Sequence, residues 1–267
     1  RGIAWAHRTA PEFDIYFISN QLDSARSFNL SLRVAGRQPE LWDAVTGETR
    51  PATDWQTENG RTLLPLRLDR NGSVFVVLRG EPTAQTSAHT GPNWLATQPV
   101  QTLGGAWQVQ FDPKMGGPVP PVAFAQLTDW SQHADAAIRH YSGTAEYRQT
   151  FQWKPAKNPR QRVYLDLGQV NNLAEVQLNG QFCGIAWTAP YRVDVTDAVK
   201  KGTNQLRILT TNTWANRLLG DQALPADQRQ TWTSAAAPAA GKPLLPAGLL
   251  GPVTLSTSAP FTTSHPK

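Results

Sequence analysis

The run Asn212-Thr-Trp214-Ala-Asn216-Arg217-Leu-Leu-Gly220-Asp221 gathers an indole, two carboxamides, a guanidinium and a carboxylate directly after a strand-like stretch. Sugars present apolar C–H faces and hydroxyls in fixed directions. A site that holds them therefore combines an aromatic platform with hydrogen-bonding groups aimed at defined points. Trp214, Asn216, Arg217 and Asp221 are candidate carbohydrate-binding residues on this ground, with Trp232 on the following loop as a wall. A guanidinium can be held by a carboxylate and still offer donors to a hydroxyl. The same residues also admit a structural reading, in which Trp214 plugs the end of a sandwich and the polar three form an internal network. Trp5-Ala-His7-Arg8, ahead of the first clear strand, adds His7 and Arg8 as further candidates.

Nucleophilic and metal-based catalysis lack their usual residues. The chain has no Gly-x-Ser-x-Gly elbow, no His-Glu-x-x-His, no glycine-rich phosphate loop and no Asp-x-Asp-x-Asp-Gly calcium loop. One cysteine, Cys183, permits neither an internal disulfide nor a cysteine zinc cluster. Glycoside hydrolysis needs two carboxyl groups about 5 to 10 Å apart, which spacing along a sequence does not reveal. No catalytic residue is assigned.

The elements that must position these groups are strands. Asp14 to Ser19, Ser27 to Val34, Arg61 to Leu68 and Ser73 to Arg79 are short, rich in β-branched and aromatic residues, and bounded by Gly, Pro, Asn or Asp. Phe28, Leu30, Leu32 and Val34 alternate with polar residues, as in a strand with one face on a core. Asn71-Gly72 between two such runs predicts a hairpin, and so does Asn179-Gly180. Trp187 and Tyr191, flanking Pro190, are expected to close a core. A second series runs from Ala106 to Phe111 through Thr144 to Trp153, Arg162 to Leu167, Leu173 to Leu178, Tyr191 to Val195 and Asn204 to Thr211 to Gly251 to Ser256.

Almost no segment has helical periodicity. The fold class is all-β, two antiparallel β-sandwich domains. Residues 1–85 form the first, 86–105 a linker rich in Pro, Gly, Thr and Gln, 106–260 the second and 261–267 a tail.

Ten Trp, nine Phe and five Tyr among 267 residues supply a core and exclude global disorder. No apolar run approaches the roughly 20 residues of a membrane-spanning helix, and the chain reads as soluble with no membrane partner. The net charge of +5 is scattered rather than gathered into a basic stripe, so nucleic acid is not an expected partner.

The order Tyr141-Ser-Gly143-Thr-Ala145-Glu-Tyr147-Arg148, Leu165-Asp166-Leu167-Gly168, Ala174 to Gly180 and Gly184 to Tyr191 resembles the sugar-binding, galactose-binding-like jelly roll of family 2 glycoside hydrolases. Asn212-x-Trp214-x-Asn216-Arg217-Leu-x-Gly220-Asp221 with Gly248-Leu-Leu-Gly251-Pro252-Val is similar to the C-terminal region of α-L-rhamnosidases of glycoside hydrolase family 106. Trp5-x-His7-Arg8, Asp14 to Asn20 and Pro39-Glu-Leu-Trp42-Asp43-x-x-Thr-Gly47 resemble the sandwich that follows the catalytic barrel there.

The resemblance implies an accessory C-terminal portion of a glycosidase whose barrel and acidic pair lie upstream of Arg1. Its implied partners are that catalytic domain and a rhamnose-containing glycan. The family association with calcium implies such an ion as a cofactor, with no ligand residue assigned. A bacterial periplasmic or secreted location is expected, and no signal peptide stands in the chain. An autonomous carbohydrate-binding module is the alternative, and a hydrolase complete within the jelly roll a third reading.

Overall fold

The computed structural model describes residues 2–80, 83–155, 161–234 and 241–258. The chain divides into two compact units, one reaching to Ala96 and the other beginning at Thr97. Among the described residues no helix is long and apolar enough to cross a membrane.

The first unit contains β1 (Ile3–Ala10), β2 (Phe13–Asn20), β3 (Arg26–Leu32), β4 (Pro39–Asp43), β5 (Thr49–Pro51), β6 (Asp54–Glu58), β7 (Arg61–Leu68), β8 (Ser73–Arg79) and β9 (Ser87–His89). They form two antiparallel sheets, ordered β1-β2-β8-β4-β5 and β3-β7-β6-β9. Alternation decides which side chains meet: Thr62, Leu64, Leu66 and Leu68 of β7 are buried while the residues between them are more exposed. Leu64 and Leu66 join Trp55, Leu32, Tyr16, Ile18, Leu41, Val76 and Leu78 in one core.

Three expectations change here. Trp5, His7 and Arg8 do not precede the first strand; they sit on β1, an edge strand whose weak apolar pattern hides it from periodicity. Asn71-Gly72 makes a turn but not a hairpin, because β7 and β8 belong to different sheets. A type I′ hairpin needs positive φ at both central residues, and only Asn71 (φ 52°) has it. The pair that does join neighbouring strands is Asn59-Gly60 (φ 49° and 73°), between β6 and β7.

The stretch expected as a linker, 86–105, is also structured. β9 pairs with β6, and the side chain of Asn93, buried, donates to Pro65 O at 2.9 Å and accepts from Thr53 N at 2.8 Å and Asp54 N at 3.0 Å. Composition does not reveal such partners, which lie 28 to 40 residues away along the chain.

The second unit contains β10 (Gln98–Thr102), β11 (Trp107–Phe111), β12 (Val122–Phe124), β13 (Thr144–Trp153), β14 (Arg162–Asp166), β15 (Gln169–Asn171), β16 (Leu173–Leu178), β17 (Gln181–Ala186), β18 (Arg192–Asp194), β19 (Gly202–Thr211), β20 (Gly248–Gly251) and β21 (Thr254–Ser258). A six-stranded sheet, β12-β11-β13-β19-β16-β17, and a four-stranded one, β10-β21-β14-β18, enclose the core, with β15-β20 as a short extra pair. This is the expected antiparallel jelly roll. Val109, Phe111, Ala145, Tyr147, Val176 and Ile208 of the large sheet and Val163, Leu165, Val193 and Leu255 of the smaller one form that core. Asn179 and Gly180 (φ 54° and 83°) make the predicted hairpin between β16 and β17. Trp187, expected in the core, is exposed instead, whereas Tyr191 packs against the core from its margin.

The glycine motifs mark close approaches. A Cβ on Gly168 would lie 2.3 Å from Gly251 O, where two backbones form a bridge. At Gly248 (φ +94°) it would lie 2.5 Å from Trp130, whose indole donates to Tyr147 Oη at 2.6 Å. Burial pushes the Tyr147 phenol well up, so this hydroxyl stays neutral and also accepts from Leu249 N at 3.2 Å.

Candidate functional site

The motif from Asn212 onward is not a loop throughout. A short helix, α1, spans Ala136–Arg139, and a second, α2, spans Ala215–Gln222 within the motif. Eight residues are too few for periodicity to announce α2, and Trp214 stands at its N-cap without giving a side-chain capping bond. The buried residues of α2 are polar: Asn216, Arg217 and Asp221. Buried polar groups need partners, and the end of the jelly roll supplies most of them.

Asn216 Nδ2 donates to Leu245 O at 2.7 Å and Asn216 Oδ1 accepts from Leu245 N at 2.8 Å, which fixes an extended segment against the helix. Asp221 Oδ2 accepts from Gln230 N (3.1 Å), Thr231 N (2.8 Å) and Thr231 Oγ1 (2.6 Å), so it anchors the loop just before Trp232. Arg217 Nη2 donates to Met115 O at 3.3 Å, and Arg217 Nη1 stands 4.0 Å from Asp221 Oδ1. Arg217 Nε and Asp221 Oδ1 are buried without a hydrogen bond. Asn212 accepts from Gly143 N and donates to Tyr141 O, both at 2.9 Å, tying the motif to the start of β13.

Gly220 lies against the His140 ring, where a Cβ would come within 2.7 Å of Cγ. Burial, and then the nearby charges of Arg139 and Arg217, hold the His140 imidazole below its usual pKa.

The two indoles of the set face outward. Trp214 is 52% exposed and Trp232 87%. The polar three are thus placed to hold the scaffold from which the indoles project. His7 and Arg8 lie in the first unit. His7 Nε2 bonds Asp14 Oδ1 at 2.8 Å and its ring stacks on Tyr16 at 4.0 Å, while Arg8 is exposed and donates to His7 O. Calcium takes six to eight oxygen ligands. Among the described residues no three His, Cys, Asp or Glu side chains gather to hold a metal ion. The side chains of the described residues do not fit a calcium site, and no ligand is assigned.

A feature that sequence reading missed is a groove of about 690 Å³ on the outer face of the six-stranded sheet, lined by Gln108, Arg148, Gln177, Gln205 and Arg207, with Gly104, Gly105 and Gly180 among its other residues. The outward positions of β13 and β19 are readable from alternation. The register that aligns them across strands is not.

Residues 1–56 match the family model of α-L-rhamnosidases, glycoside hydrolase family 106, and residues 118–241 match the galactose-binding-like domain of glycoside hydrolase family 2. A rhamnosidase from Novosphingobium sp. PP1Y is similar over 96% of this chain, with 39% identity and a TM-score of 0.86; the similar part is 24% of that protein. A "Putative beta-glucuronidase" of Formosa agariphila is 44% identical over 131 residues, which are 49% of this chain and 11% of that one. The chain therefore spans a quarter or less of the length of these two relatives.

Proposed function

We propose that this glycoside hydrolase-associated chain, α-L-rhamnosidase-like in its first unit and galactose-binding-like in its second, is an accessory region of a rhamnosidase. In this reading it supports a catalytic domain carried elsewhere on the same polypeptide, and it touches a rhamnose-containing glycan through Trp214 and Trp232.

The observation that carries the reading is the division of labour at α2, where the polar residues are turned inward and the indoles outward. Trp214 stands at the start of α2 with helical backbone angles (φ −69°, ψ −7°), and its side chain is turned to solvent. An exposed indole offers a flat apolar face to the C–H side of a sugar ring. The buried Asp221 holds the backbone at Gln230 and Thr231, so the second indole leaves from a fixed point. The chain in this reading binds and orients; the carboxyl pair for glycosidic cleavage belongs to the catalytic domain. Glycan polymers are met outside the cytoplasm, which supports a periplasmic or secreted bacterial location.

Calorimetric titration with methyl α-L-rhamnoside and rhamno-oligosaccharides tests the contact. Trp214→Ala and Trp232→Ala are each expected to weaken binding by about two- to tenfold, the equivalent of roughly 0.5–1.5 kcal/mol for an aromatic contact, with the melting temperature unchanged. Unaltered affinity in the double variant contradicts the contact.

A further inference from the structure

We propose that the groove on the outer face of the six-stranded sheet is a second saccharide site, specific for an acidic oligosaccharide, a glycan bearing carboxylate or sulfate groups. The groove shares no residue with α2 or with Trp232, and the proposal does not use either indole.

Strand register puts a row of side chains across its floor. Gln108 of β11 pairs with Arg148 of β13, Arg148 with Arg207 of β19, and Arg207 with Gln177 of β16. All four alternate with core residues and so point outward. Directly opposed like charges on neighbouring strands destabilise a sheet, yet Arg148 and Arg207 are so opposed. One carboxylate, Glu146, relieves part of this: Arg207 Nε donates to Glu146 Oε2 at 2.6 Å, and Arg148 Nε pairs with Glu146 Oε1.

The relief is incomplete. At Glu146 two guanidinium charges meet one carboxylate, each Arg engaging it only through Nε, and the neighbouring carboxylate, Glu175, is bound by Gln177 Nε2 at 3.0 Å and does not line the groove. The terminal nitrogens of both Arg make no hydrogen bond to protein among the described residues, and neither do the side-chain amides of Gln108 and Gln205. They form an array of donors around excess positive charge. A planar guanidinium fork matches a carboxylate or sulfate in two parallel bonds.

The volume and spacing point to a saccharide chain. About 690 Å³ lies within the roughly 300–1,000 Å³ of small-ligand clefts. Strands lie about 4.8 Å apart, so a ligand crossing them meets one polar group per strand, an interval close to that of successive rings in an extended glycan. The Gln108 amide at one end of the row suits a hydroxyl, and Gln177 at the other, its nitrogen bound to Glu175 Oε1 at 3.0 Å, offers its carbonyl oxygen as an acceptor. No aromatic side chain lines the groove, so a neutral sugar would lack its stacking platform and an acidic peptide would find no pocket for apolar side chains. Gly104 and Gly105 keep one rim low, and Gln149 Nε2 donating to Gly104 O at 2.9 Å holds that rim in place.

The test is calorimetric titration of the full chain with three probes: oligogalacturonate, a neutral galacto-oligosaccharide of the same length, and polyglutamate. Oligogalacturonate is expected to bind, more weakly as salt is raised, and at least tenfold more weakly to the Arg148→Gln/Arg207→Gln double variant. Should the double variant fail to fold because Glu146 has lost both partners, Arg148→Gln alone removes an exposed side chain, keeps the Arg207–Glu146 pair, and is expected to weaken binding several-fold. No binding of oligogalacturonate, equal binding of the neutral probe, equal binding of polyglutamate, or unchanged affinity in the folded variants each overturns the proposal. None of these results bears on rhamnoside contact by Trp214 and Trp232, which the neutral rhamnosides test separately.

Discussion

Arg217 and Asp221 are both buried, and their charges face each other at a distance too long for a good hydrogen bond. Breaking a buried pair by removing one partner leaves the other charge uncompensated. Arg217→Ala is therefore expected to lower unfolding free energy by about 3 kcal/mol in a urea titration, whereas Trp214→Ala, at an exposed site, stays within about 0.5 kcal/mol. Equal losses in both variants would contradict the division between scaffold and contact.

His140 gives a pH dependence. Its folded pKa is lowered, so the unfolded state takes up the proton first as pH falls. The contribution of neutral His140 to stability is present above the unfolded value of about 6.5 and is lost as pH falls below it. Melting temperatures followed from pH 8 to pH 5 should show that decline, and His140→Gln should flatten it. The candidate polar residues were visible in the sequence, but their direction was not, because burial of a polar side chain in a short helix depends on partners such as Leu245, Met115 and Thr231 that lie far from it along the chain.

Hairpins mark how far elements were legible. Three Asn-Gly pairs stand in the chain, and the two with positive φ at both residues, Asn59-Gly60 and Asn179-Gly180, join adjacent strands. Asn71-Gly72 has the same letters but carries the chain from one sheet to the other. The dipeptide permits the hairpin, and sheet pairing decides whether it forms. A Cβ at Gly60 or Gly180 would touch nothing within 4 Å, so only backbone strain opposes substitution. Gly60→Ala and Gly180→Ala should each cost about 1–2 kcal/mol, read as a fall in melting temperature. An unchanged melting temperature would mean that neither turn holds its left-handed geometry in solution. Strands with strong alternation, such as β7 and β19, could be read directly. β1, β9 and β10 could not, since an edge or short strand is held by its partner's hydrogen bonds more than by its own apolar pattern.

At the scale of the molecule, the all-β class, the jelly roll and the rhamnosidase resemblance were all legible, because strand periodicity and the glycine-rich motifs of close packing are local features. The groove was not: it exists only once register sets Arg148 against Arg207. In the proposed role this chain binds glycan for a glycosidase without cleaving it, and release of 4-nitrophenol from 4-nitrophenyl α-L-rhamnoside by the purified chain is the decisive assay. No release above the blank is expected. Turnover that disappears when a single Asp or Glu of this chain is replaced by its amide would contradict it, and would move the active site into these two sandwiches.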